Sequence, residues 1–310
     1  MVRVPRMTQP NGNDLGSIGE TATSPESHPA VPGGAATFAA RVGAPPLPHE
    51  HGAWVMLIAP MLVALAAAPQ PSGGRAALAA IAVIGAFLAR EPADLLIRGR
   101  GKPGTLFWLA AYLAVALAGA LPLAFVTPGM ALPVIGAVAA GLFAVHAALL
   151  AWPARRRLDR TQAGEGLAVV GLTLSAPLAY AAQTGRLDGL AVCLWAACAL
   201  YFGGGVFHVK MLLSAVKGRS ALTAVDRLRL GRFNLAYHAA MLLIVIWAAP
   251  KAGPVGGALA LAAYAPAILR AAWGTARLSR TLPPLKRVGV LETLYALWFG
   301  GAFAAALRLG

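Results

Sequence analysis

Two acids stand among four bases in Arg90-Glu91-Pro92-Ala93-Asp94-Leu95-Leu96-Ile97-Arg98-Gly99-Arg100-Gly101-Lys102. Glu91 and Asp94 are three residues apart, so on a helix their carboxylates share a face. Such a pair can hold one divalent cation, Mg²⁺ being the fitting ion, together with phosphate oxygens and water. Arg90, Asp94 and Arg98 recur every four residues, which makes a stripe of alternating sign. The plain structural reading is self-neutralisation, Arg90 with Asp94 and Asp94 with Arg98. Bases outnumber acids, so a site here faces an anion rather than a bare metal.

Three further groups carry candidate chemistry. In Pro48-His49-Glu50-His51-Gly52-Ala53-Trp54, a helix starting near Pro48 puts His51 and Trp54 on one face, as substrate contacts or as a helix cap with an interfacial Trp anchor. Farther on, His208, Lys210 and Lys217 follow Gly203-Gly204-Gly205, a run that suits a close backbone approach or an unwound segment. Their bases could hold a diphosphate or a lipid headgroup, or serve only as membrane-flanking charge. Lastly, His146, His238, Arg270 and Glu292 fall singly inside apolar runs, where ionisable groups are costly. The two histidines could ligate haem or relay protons, and Glu292 needs a base such as Lys286, Arg287 or Arg270. Cys193 and Cys198, five apart in one apolar run, match no metal pattern and read as small buried hydrophobes.

The elements that must position these groups are helices in lipid. The 310-residue chain has a mean hydropathy of +0.68, and only 12% of its residues are charged, about half the share in a soluble domain. Nine apolar runs cover approximately 52–69, 76–92, 105–121, 131–151, 167–183, 190–207, 233–250, 256–274 and 288–308. Each is near the ~20 residues that a crossing helix needs. The count falls to eight if two weak runs form a re-entrant hairpin. Continuous rather than alternating apolarity argues against a β-barrel. The fold class expected is all-α, a polytopic helix bundle.

A net charge of +15 would suggest nucleic acid in a soluble protein, but its distribution points to topology. The odd connections carry only Arg75, Arg186 and Lys251, while the even ones carry clusters such as Arg155-Arg156-Arg157 and Lys210 through Arg232. Basic loops stay in the cytoplasm, which puts the N-terminus inside and the C-terminus outside, with anionic lipid rather than nucleic acid as the partner. Residues 1–47 are rich in Pro, Gly, Ser and Thr and read as a disordered cytoplasmic tail without a cleavable signal. They end in the stiff Ala44-Pro45-Pro46-Leu47-Pro48; residues 48–310 form the membrane domain. Ser220 to Asp226, in the longest basic connection, reads either as a short surface helix or as a solvated loop.

The heptapeptide Pro48 to Trp54 resembles the N-terminal signature of the YwiC-like family of bacterial membrane proteins, and Arg90-Glu91-Pro92 and Arg287 to Glu292 fit the same family. The resemblance implies a multi-pass protein of the bacterial plasma membrane and supplies no activity. More distantly, the nine-helix plan with polar inner connections after the second and sixth helices is similar to the UbiA prenyltransferase superfamily. That resemblance implies a UbiA-like bundle, with Glu91 and Asp94 as catalytic and Mg²⁺-holding carboxylates. It implies His51, Trp54, Arg90, Arg98, His208, Lys210 and Lys217 as contacts to an isoprenyl diphosphate. The chain departs from the family pattern at the second motif, where Asp226 is the sole acid between His208 and Arg232. Two readings follow. One is a protein, enzymatic or not, that holds an isoprenyl diphosphate or another amphipathic anion at a cavity open to the cytoplasm. The other is a transporter, or a haem- or quinone-associated accessory protein.

Overall fold

The computed structural model describes residues 42–48, 51–152, 158–217, 221–281 and 284–310, the side chains of residues 51 and 285–287 excepted. Ten α-helices make up the described chain: α1 (His51–Ala67), α2 (Gly73–Ile97), α3 (Thr105–Val126), α4 (Ala131–Ala151), α5 (Gln162–Leu172), α6 (Ser175–Thr184), α7 (Gly189–Ala215), α8 (Ala224–Ala248), α9 (Gly253–Ala276) and α10 (Leu285–Leu309). No strand occurs among the described residues.

Seven stretches are long and apolar enough to cross a membrane, which marks a multi-pass membrane protein. One of them, Ala224–Ala276, has 53 residues, roughly 80 Å as a single helix. It folds back instead. A 3₁₀ turn at Ala249–Ala252 and Gly253 at φ 69° divide it into α8 and α9, which pack against each other. The apolar part of α1, Gly52–Ala67, is shorter than the rest. The stretch Gln162–Thr184 is broken between α5 and α6, where the Thr173 hydroxyl donates to the Val169 carbonyl at 2.8 Å.

Small residues set the closest contacts. Gly85 of α2 lies on the backbone of Ala116, and Gly119 of α3 lies on the backbone of Ala82, so a side chain at either glycine would collide with main chain. This is how helices associate in lipid, by close approach rather than by the hydrophobic effect. The Gly203-Gly204-Gly205 run leaves α7 helical throughout. Gly203 and Gly204 give room to Tyr237 and His238 of α8, so of the two expectations the close approach holds.

The core lies where α1, α7, α8, α9 and α10 meet. Tyr201 and Phe299 stack there with ring centroids 3.9 Å apart, and Tyr264 meets Phe299 edge-on at 5.2 Å. The Tyr264 hydroxyl donates to the Ala197 carbonyl at 2.9 Å, so its buried oxygen is satisfied. The segment from Ser220 to Asp226 is not a separate surface helix. Its described part enters α8 through a capping box, in which Thr223 and Asp226 bond each other's backbone N–H. Of the expected 1–47 tail, residues 1–41 lie outside the described residues. The Pro-rich end rests on α3, with Trp108 Nε1 donating to the Gly43 carbonyl at 3.3 Å.

Candidate functional site

Helical spacing builds a cavity from three stripes. On α9, Trp273 and Gly274 follow Arg270 by three and four residues, and the C-capping Arg277 follows it by seven. On α10, Val288, Leu291, Glu292 and Tyr295 repeat the same spacing. His208 and Leu212 of α7 complete the wall. Together with Leu278, Ser279, Thr281 and Pro284 they enclose about 700 Å³, within the range of small-molecule sites.

Two polar groups of this cavity, Arg270 and His208, are deep. The Arg270 side chain is 13% exposed and forms an ion pair with Glu292. Arg270 Nε is buried without a hydrogen-bond partner. Its guanidinium carbon lies 5.7 Å from the Tyr295 ring centroid. His208 is 7% exposed, and its Nδ1 is also without a partner. The ring occupies space left by Gly274, where a Cβ would come within 2.6 Å of His208 Cε1. Nearer the helix end, Arg277 lies over the Trp273 ring at 4.5 Å.

A second polar cluster ties α2 and α4 to the connection ahead of α5. Asp94 Oδ2 lies 3.7 Å from Arg90 Nε and 3.2 Å from His146 Nε2. Asp94 Oδ1 is buried without a partner. Arg98 donates to Asp159 at 2.8 Å rather than to Asp94. From α7, Lys210 donates to Glu165 at 2.6 Å and to the Arg160 carbonyl. The segment from Asp159 to Glu165 therefore gathers the ends of both helices that the sequence marks as motif-bearing.

The expected site residues divide between these places. Arg90, Asp94 and Arg98 belong to the α2–α4 cluster, and Glu91 sits half-buried on the same turn of α2. His208 faces the cavity, whereas Lys210, two residues on, faces α5. Lys217 is exposed in the turn after α7. Trp54 packs edge-on against Phe87 at 4.8 Å, on the α1–α2 seam. His49, Glu50, Arg155 to Arg157, Arg219 and the side chain of His51 lie outside the described residues, as do the side chains of Lys286 and Arg287. No group of three or more His, Cys, Asp or Glu placed to hold a metal occurs among the described residues. Of the two histidines considered for haem, His146 turns its Nε2 to Asp94, and His238 lies against Gly204 with its Nδ1 bonded to the Asn234 carbonyl.

Sequence reasoning passed over Asp159, Glu165, Trp273, Arg277 and Tyr295. Asp159 and Glu165 were visible as acids beside Arg155 to Arg157 and Arg160, but their observed partners, Arg98 and Lys210, come from other helices. The heptapeptide at the head of α1 and the Arg90-Glu91-Pro92 turn of α2 are part of a longer correspondence. Residues 47–180 match the YwiC-like protein family. The YwiC-like segment runs from α1 into α6 and contains the α2–α4 cluster except Lys210. The cavity residues, from His208 to Tyr295, lie beyond it. No curated protein and no solved structure matches the chain.

Proposed function

We propose that this chain is a nine-crossing, UbiA-like membrane protein that binds an amphipathic anion in the cavity between α7, α9 and α10. In this reading α1 and both halves of Ala224–Ala276 cross the bilayer. The cavity opens to the cytoplasm, where the basic connections lie, with the N-terminus inside and the C-terminus outside. The observation that carries the reading is Arg270. A guanidinium buried among apolar helices costs several kcal/mol unless it is paired. Glu292 covers one edge of it, and the Arg270 side chain lines a cavity large enough for a ligand. Leu212, Leu278, Val288 and Leu291 suit a hydrocarbon tail, and Arg277 at the mouth adds attraction for a headgroup.

The expectation of a Mg²⁺-dependent prenyltransferase centred on Glu91 and Asp94 receives less support. Asp94 already meets Arg90 and His146, an arrangement that suits helix-joining ion pairs. The test is direct binding of a long-chain anionic amphiphile to the purified protein. Arg270→Gln is expected to weaken binding tenfold or more, since charge-assisted hydrogen bonds are worth about 1.5–3 kcal/mol. Unchanged affinity in that variant sinks the reading.

A second reading, a transporter, draws on the broken α5–α6 stretch, because interrupted helices line many transport sites. Uptake of the same amphiphile into reconstituted vesicles, abolished by Arg270→Gln, would favour it over simple binding.

A further inference from the structure

The cavity holds its own anion. We infer that Glu292 is a resident counter-ion, which a ligand headgroup displaces from Arg270, and that this restricts the site to singly charged amphiphiles. The inference rests on the reading of the cavity as an anion site and narrows its ligand class.

The charges that face the cavity can be followed helix by helix. Among the described residues, α7 presents His208, α9 presents Arg270 and Arg277, and α10 presents Glu292 and Tyr295. With histidine and tyrosine neutral, two positive charges stand against one negative. One further negative charge brings these described groups to neutrality. A diphosphate, with about three, leaves an excess that a low-dielectric site cannot disperse. A carboxylate or a phosphodiester therefore fits, and a diphosphate does not.

The exchange itself follows from burial. Arg270 is fixed in the wall at 13% exposure, while the Glu292 side chain is 33% exposed and belongs to the other helix of the pair. Glu292 is thus the partner with room to move toward water. When it leaves, an anionic headgroup can take the Nη1 position that Glu292 held. Glu292 stays in the cavity mouth and repels any second negative charge.

The experiment measures affinity of purified protein for dodecanoate and for farnesyl diphosphate, whose tails have similar lengths. Glu292→Gln removes the competitor, and dodecanoate should bind about tenfold tighter. The diphosphate should gain more, because a repelling charge has also gone. Glu292→Asp, which keeps the charge, should stay within about threefold of the wild type and guards against a general defect. Competition by phosphatidylglycerol in nanodiscs would place the natural headgroup in the bilayer, and its failure would place the ligand among free amphiphiles; either outcome keeps the single charge. The inference is overturned if Glu292→Gln weakens dodecanoate binding as Arg270→Gln does, because Glu292 would then only position Arg270. A wild-type preference for the diphosphate over dodecanoate also overturns it. Loss of neither ligand in Arg270→Gln removes the cavity reading beneath it, a separate result.

Discussion

His208 and Lys210 stand two residues apart on α7 and serve opposite neighbours. His208 lies against Gly274 of α9 and faces the cavity, whereas Lys210 donates to Glu165 of α5. Two residues on a helix are about 200° apart, so one polar run cannot face a single mouth. The dense basic end of α7 is therefore two half-sites back to back, and their variants should behave differently.

At the first half-site, Gly274→Ala places a methyl group where the His208 ring sits. Overpacking of this kind costs about 1–3 kcal/mol. The apparent unfolding midpoint in detergent should fall, and the His208→Ala/Gly274→Ala double variant should recover most of it. Equal loss in single and double variants would show that the ring and Gly274 do not share that space.

The ion pairs at the other half-site should rank by burial. Asp159 has an 11% exposed side chain and Glu165 a 35% exposed one. Arg98→Ala should therefore cost more than Lys210→Ala, because the more buried carboxylate loses its ion-pair partner. Lys210→Ala should cost no more than about 1 kcal/mol, as for a surface pair. Thermal melts of the two variants side by side check the order, and the reverse order would refute the assignment.

Arg270 and Glu292 should be coupled in stability as well as in binding. Arg270→Gln alone leaves a carboxylate facing apolar walls, while Arg270→Gln/Glu292→Gln leaves two neutral amides. The double variant should melt higher than the Arg270→Gln single, with a coupling of about 1–3 kcal/mol. It should still fail to bind an anionic amphiphile. Additive effects would mean that the two side chains are not in contact.

The α2–α3 pair should tolerate nothing larger than hydrogen at its crossing. Gly85→Leu or Gly119→Leu drives a side chain into opposing backbone, and neither helix can yield without parting. Each is expected to abolish monodisperse protein in size-exclusion chromatography, while Gly136→Leu on α4, with open space around it, should not.

The apolar runs of the sequence made the helices legible, because length and continuous apolarity are what lipid demands. The run at 131–151 coincides with α4. Helix ends set by polar chemistry were harder. Arg227, Arg229 and Arg232 suggested a loop, yet the Thr223–Asp226 capping box starts α8 ahead of them. The break at Thr173 was hidden for a different reason: a hydroxyl bonding back to Val169 leaves no mark on hydropathy. The site was legible as residue types and not as partnerships. Glu292 needed a base, and Arg270 was one of three candidates. Choosing among them required knowing which faces of α9 and α10 meet, and the spacing within each helix does not name the neighbour that its stripe faces.

The bareness of α4 has a consequence of its own. Only Ile135 and His146 of its side chains are buried. Apart from the Ile135 face, with Leu132 and Leu142 beside it, α4 looks outward, and hydrocarbon tails are as oily as neighbouring helices, so packing holds its azimuth weakly. The hydrogen bond from His146 to Asp94 is then a pin that stops the helix from spinning about its long axis. With His146→Leu, α4 should turn like a loose stave, and cysteines placed around its circumference should react alike with a lipid-borne label.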